Sequence, residues 1–164
     1  MIKARSLSLF IALIVWATIA GGVMYSHVVF FPPYLSHLPE SSTLVTGDYA
    51  LHDEHFWLFI HPLAILSTIT TLFLNWKLKE RRTYIFIGLT IYALAILATA
   101  TYFVPELMAF AGSNNSHSSR TAEWFTRGQT WQRLSWVRGF FVYVAFTMLL
   151  IALTKDKNAS PTSS

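Results

Sequence analysis

A chain of 164 residues that is 54% hydrophobic, 16% aromatic and only 12% charged lacks the composition of a soluble domain, in which about 25% of residues carry charge. Its mean hydropathy of +0.46 excludes a disordered chain, a coiled coil and a collagen-like repeat. The absence of cysteine removes disulfides, thiolate metal sites, iron–sulfur clusters and cysteine nucleophiles together. The net charge of +4 must be weighed against a membrane before nucleic acid is invoked.

A spanning helix needs about 20 mostly apolar residues. The first such stretch is 7–31, preceded by Lys3 and Arg5 and closed by Pro32 and Pro33, which interrupt helices. A cleavable leader is the rival reading, but the apolar run continues to Phe31, past the roughly 7–15 residues of a signal core. A retained helix is therefore expected. The second stretch, 56–76, stops at the charged run from Lys77 to Arg82. The third, 84–104, is followed by Pro105 and Glu106. The fourth, 134–153, contains a single charge, Arg138. Thr121 is a candidate cap for a helix through Glu123, Trp124 and Trp131 that runs on into the fourth stretch. The polar tail 158–164 reads as disordered.

The fold class predicted is thus all-α: a polytopic membrane four-helix bundle, up-down-up-down, forming one domain. Lys3, Arg5, Lys77, Lys79, Arg81, Arg82, Lys155 and Lys157 all fall on one side if the chain crosses four times. The short loops holding most Lys and Arg stay inside, so both termini are expected in the cytoplasm, as in a bacterial inner membrane. The connections 32–55 and 105–133 then face outward. Eight of the twelve cations become orientation signals, and no nucleic-acid partner is implied. The tight turn between the second and third stretches predicts antiparallel neighbours.

The six histidines, His27, His37, His52, His55, His61 and His117, and six of the eight acids lie on the outer side. Along the third stretch Tyr84, Gly88, Tyr92, Ala95, Thr99, Tyr102 and Glu106 recur at helical spacing. Along the second, Glu54, His61, Thr68 and Asn75 do so. Small and polar residues line helix contacts in membranes, and Thr68, Asn75 and Gly88 are assigned to such seams. The upper parts of both stripes add ionisable groups. His61 and Arg138 lie roughly 6–8 Å inside the outer boundary at 1.5 Å per residue, with His27, Glu54, Tyr102 and Glu106 placed near that depth. Charges inside a bilayer are costly and pair within the bundle, so Glu106 or Glu54 is the expected partner of Arg138. Snorkelling of Arg138 to the head groups is the simpler alternative, with Trp136 and Tyr25 as interfacial residues. Helix one offers two competing inward faces: Thr18, Gly22, Tyr25 and Val29, or Trp16, Ala20, Val23 and His27.

The expected site therefore has His61, Arg138, Glu54 and Glu106 as its chemical groups. Tyr102, Trp131, Trp136 and Tyr25 line it for a lipophilic, quinone-like ligand. His61, Glu54 and His27 form an alternative metal set, for a transition metal, and His27 with His61 is an alternative haem pair.

The layout, with Gly21-Gly22 and Tyr25, the exit Phe30-Phe31-Pro32-Pro33, Tyr102 with Pro105, and Trp131, Leu134, Trp136 and Arg138, resembles the anthrone-oxygenase-like four-helix membrane family. Most of its bacterial members are domains of unknown function, and fungal members oxidise anthrones to anthraquinones without a separately known cofactor. That resemblance implies an oxygenase-like enzyme acting on a polycyclic phenol. Two further functions compete: a non-catalytic accessory subunit engaging membrane-protein partners or a second copy of itself, and a metal or haem carrier.

Overall fold

The structure is a computed structural model, and it describes residues 4–115 and 121–155. Four helices are each long and apolar enough to cross a membrane: α1 (Ala4–Ser36), α2 (Glu54–Leu74) and α3 (Lys79–Ala111), and α4 (Thr121–Thr154). Among the described residues there is no strand, and the fold is an all-α four-helix bundle. The bilayer side of the bundle is apolar, with Phe10, Leu58, Phe59, Leu66, Leu94 and Phe140 all exposed on its outer surface.

Helices α1 and α3 overrun the expected boundaries, and α4 takes in the helix expected from Thr121. A helix of 33 residues is about 50 Å long, against about 30 Å of hydrocarbon, so α1, α3 and α4 extend well past one face. Pro32, Pro33 and Pro105 do not end their helices, contrary to the sequence expectation. Each follows a short π-helical segment, Ser26–Phe30 in α1 and Thr99–Phe103 in α3. The two segments match: in each, one residue separates the last π position from the proline. The Phe31 amide bonds back to the Ser26 carbonyl and the Val104 amide to that of Thr99, giving the wide turn that takes up the crowding of a proline ring against the preceding turn. Both outer connections are shorter than predicted as a result. The tail 158–164, His117 and Arg120 lie outside the described residues.

At one end, the start of α1, the α2–α3 turn and the end of α4 come together. The Asn75 side chain donates to the Arg5 carbonyl (3.3 Å) and to that of Thr71 (2.8 Å). Arg81 is fully buried and donates to the Ala152 (3.1 Å) and Leu153 (3.4 Å) carbonyls and to Asn75 Oδ1 (3.1 Å). A guanidinium thus caps the carbonyl end of α4, where a cation also complements the helix dipole. Its alternating pattern of crossings is that of an up-down-up-down bundle.

Helix α3 packs most extensively on α4, and α1 on α2 and α4; α2 and α3, though joined by the shortest turn, share much less surface. Gly88 permits the close α3–α4 approach: a Cβ there would stand 2.6 Å from Leu149 Cδ1 and 3.0 Å from the Ala145 carbonyl oxygen. The inward face of α1 is the one carrying Trp16, Ala20, Val23 and His27. Thr68 and Asn75 are buried seam residues as expected, Thr68 Oγ1 accepting the Trp16 indole N–H at 2.9 Å.

The interior divides into two apolar cores. One runs through the spanning region, including Trp16, Ile19, Val23, Ile60, Tyr92 and Leu149. The other fills the overhanging end, with Phe31, Tyr34, Leu35, Phe103, Phe110 and Trp131. Between Val23 and Tyr92 of the first core and Phe31 and Phe103 of the second lies a layer of polar side chains.

Candidate functional site: a polar layer between two cores

The π segments supply this layer. His27 sits in the first, Thr99 and Phe103 in the second, and π turns recur at functional sites because they aim side chains that a regular helix would place elsewhere. His27 is only 2% exposed and Ser135 fully buried. His27 Nδ1 lies 2.7 Å from the Val23 carbonyl, which can only accept, so Nδ1 carries the proton. Nε2 of the neutral ring then accepts the Ser135 hydroxyl proton at 2.9 Å. The Ser135 oxygen in turn accepts from Arg138 Nη2 at 3.1 Å, while Nη1 donates to Thr99 Oγ1 at 2.8 Å. The Thr99 hydroxyl in turn donates a hydrogen bond to the Ala95 carbonyl at 2.7 Å. The guanidinium lies 4.5 Å above the Phe103 ring, a cation–π placement.

The second histidine stands beside this chain. His61 Nδ1 is hydrogen-bonded to the Tyr92 hydroxyl, and its ring stacks on Trp57 at 5.3 Å and 23°. The Arg138 charge acts through space on His27, His61 and Tyr92 alike. All four helices therefore contribute: His27, His61, Tyr92 with Thr99, and Ser135 with Arg138. His61, Thr99 and Arg138 remain half-buried, near the thinly packed α2–α3 seam.

Arg138 has no carboxylate partner among the described residues, which corrects the expected pairing. Glu106 instead holds Arg127 in a two-pronged pair, with contacts of 3.0–3.2 Å, and the Arg127 guanidinium lies 4.6 Å over Trp124. The reason is antiparallel register. With Thr99 opposite Arg138, Glu106 stands seven residues farther out, about 10 Å at 1.5 Å per residue, beyond the reach of Arg138, and meets the long side chain of Arg127, farther out on α4. Glu54 is also elsewhere, bonded to His52 at 2.8 Å with both side chains more than half exposed (53% and 57%), a contact worth little.

The expected lining residues scatter as well. Trp131 is fully buried in the outer core, its indole N–H donating to the Phe103 carbonyl at 3.0 Å. Trp136 joins the layer, its ring 4.6 Å from that of His27. Tyr102 lines a small recess with Glu106 and Arg127, and Tyr25 lines a separate groove between α1 and α2. The proposed metal set of His61, Glu54 and His27 is not assembled: among the described residues no three His, Asp or Glu side chains are grouped to hold an ion. Both ring nitrogens of His27 are already occupied, which also removes it as a haem ligand in this arrangement. Sequence reasoning placed Tyr92 and Thr99 on the correct stripe yet gave neither a role, and gave none to Ser135; a hydroxyl one turn from a lone intramembrane arginine was the available signal.

No family model, curated protein or solved structure matches the chain.

Proposed function

We propose that this is an integral protein of a bacterial inner membrane, its Lys- and Arg-rich end in the cytoplasm, and that the polar layer binds a lipophilic small molecule through an oxygen atom. The observation that carries this reading is Arg138: a half-buried cation within a spanning helix that uses two hydroxyl oxygens and no carboxylate among the described residues. A guanidinium has five N–H donors, and charge in this setting is retained where function needs it. A carbonyl or phenolate oxygen entering along the α2–α3 seam would complete its coordination.

The neighbouring groups favour a quinone-like molecule or a polycyclic phenol such as an anthrone, the substrate class the family resemblance implies. With its Nδ1–H donating to the Tyr92 oxygen, His61 offers Nε2 as a proton acceptor. Arg138 would stabilise negative charge developing on the ligand oxygen as that proton leaves, in a site where fixed donors act more strongly than in water. Thr99 and Ser135 hold the guanidinium in place, and His27, locked by two hydrogen bonds, positions Ser135.

The test is binding of a lipophilic quinone and of an anthrone by purified protein in mild detergent, with Arg138→Met and His61→Ala. Losing a charge-assisted bond costs about 1.5–3 kcal/mol, so Arg138→Met should weaken binding at least about tenfold. His61→Ala should abolish proton removal from the anthrone while leaving quinone binding largely intact. Unchanged binding in Arg138→Met with the helical content preserved would overturn the proposal.

A further inference from the structure

Beside Trp57, whose ring stacks on His61 of the polar layer, a groove of about 500 Å³ runs between α1 and α2, within the size range of small-molecule sites. Its α1 wall carries Thr18, Gly21, Tyr25 and Ser26. Thr18 to Ser26 spans about 12 Å of helix at 1.5 Å per residue. Thr18, Gly21 and Tyr25 are exposed, so the groove opens sideways, on the surface that faces lipid. At its other end the residues ahead of α2 bring in Asp53.

Two polar groups in the groove lack the partners their positions would normally provide. Asp53 occupies the N-cap of α2 but makes no side-chain capping bond, although aspartate is among the residues best suited to that task. Its Oδ2 instead accepts the Trp57 indole N–H at 3.2 Å, which holds the carboxylate against the groove. Ser26 is only 6% exposed, lines the groove, and its hydroxyl has no hydrogen bond to a described residue. Around the same end stand the rings of Tyr25, Phe30, Phe56 and Trp57.

An acid surrounded by aromatic faces is the chemistry that recognises an ammonium group, by charge and by cation–π attraction together. No lysine or arginine lines the groove, and none occurs anywhere in residues 32–55; the one basic side chain in its lining, His52, is bonded to Glu54, so an anionic head group would face the Asp53 carboxylate with no fixed cation to offset it. Below the acid the walls are apolar as far as Thr18. We infer that the groove takes an amphiphile from the bilayer, its ammonium head against Asp53 and the aromatic rings and its chain alongside Gly21. Burial, with the neighbouring Glu54 charge adding to it, raises the Asp53 carboxyl above its ordinary pKa; an ammonium alongside offsets that penalty and favours the charged form.

Gly21 gives a clean block, because it lines the groove and a Cβ built on it meets nothing within 4 Å, which leaves room for a longer side chain to start into the groove. The experiment uses the full chain in uncharged maltoside micelles, titrated with chain-brominated dodecylammonium or chain-brominated dodecanoate. Bromine quenches nearby tryptophan, and the part of the quenching that vanishes in Trp57→Phe reports the groove. Dodecylammonium should bind saturably and about tenfold more tightly than dodecanoate, as a desolvated cation–π and charge contact of about 1–2 kcal/mol requires. Gly21→Leu should abolish the saturable signal, and Thr18→Leu serves as a second block should the first variant not fold. Asp53→Asn should erase the head-group preference while chain binding persists. Equal affinity for the two probes in the unaltered protein, or wild-type binding in a folded block variant, overturns the inference. Arg138→Met should leave this signal unchanged, so the groove and the polar layer stand or fall separately.

Discussion

Replacing Ser135 with alanine tests whether the polar layer is a closed hydrogen-bond chain. One hydroxyl serves two partners: it donates to His27 Nε2 at 2.9 Å and accepts from Arg138 Nη2 at 3.1 Å. The alanine removes both bonds and leaves the His27 acceptor without a partner at a site only 2% exposed. Interhelical hydrogen bonds in bilayers average only about 0.6 kcal/mol, because the unfolded reference also finds partners. A buried group left unsatisfied costs more, about 1–3 kcal/mol, and a bond to a charged group about 1.5–3 kcal/mol. The orphaned acceptor therefore decides the size of the effect, and the expected loss is about 2–3 kcal/mol. Thermal unfolding in mild detergent, followed by circular dichroism, should show it as a fall in Tm of about 5–10 °C, by the scaling for chains of this size. A double-mutant cycle with His27→Leu isolates the shared bond: in the His27→Leu background, Ser135→Ala should cost about 1 kcal/mol less than in the wild type. A loss below about 0.5 kcal/mol, or strict additivity with His27→Leu, would mean that the hydroxyl does not join the two side chains and that the chain from Val23 to Arg138 is not closed.

Two further outcomes follow from the packing. Gly88→Ala presses a methyl group to 3.0 Å from the Ala145 carbonyl. Overpacking of about 1–3 kcal/mol then exceeds the roughly 1 kcal/mol gained in helix propensity, for a net loss of about 1 kcal/mol in Tm-based stability measurements. Gly21→Ala, with open space around the new atom, should instead gain up to about 1 kcal/mol, so opposite signs are the check. Arg81→Ala removes the donors to the Ala152 and Leu153 carbonyls at the end of α4 and should cost about 2–3 kcal/mol. Hydrogen exchange should then accelerate in the last turn of α4 before it does anywhere else; uniform acceleration would argue against a local cap.

The fold class was readable without coordinates because a bilayer constrains sequence strongly. Four apolar runs of spanning length admit one architecture, since every backbone group must be satisfied within its own helix. The seam residues Thr68, Asn75 and Gly88 were readable for the same reason, as small or polar side chains on one helical face. The positions of the helix ends were not. Proline is read locally as a stop, and only the packing of α1 and α3 against α4 pays for carrying the chain through Pro32, Pro33 and Pro105. The π segments that make this possible have no residue signature that periodicity detects.

The site divides along the same line. Arg138, His61 and His27 could be recognised from the chain because an ionisable residue inside an apolar run is costly wherever it points. Their partners could not, because pairing depends on the register between helices, and register is set by contacts far apart in sequence. A seven-residue difference along α3 was enough to send Glu106 to Arg127 and to leave Thr99 and Ser135 with Arg138. Composition and spacing alone thus determined that the chain crosses a membrane and carries a cation, Arg138, inside one of its spans. The tertiary structure decided what surrounds that cation, since hydrogen bonds and ring contacts extend only a few ångströms and no local pattern encodes which helix arrives within that distance.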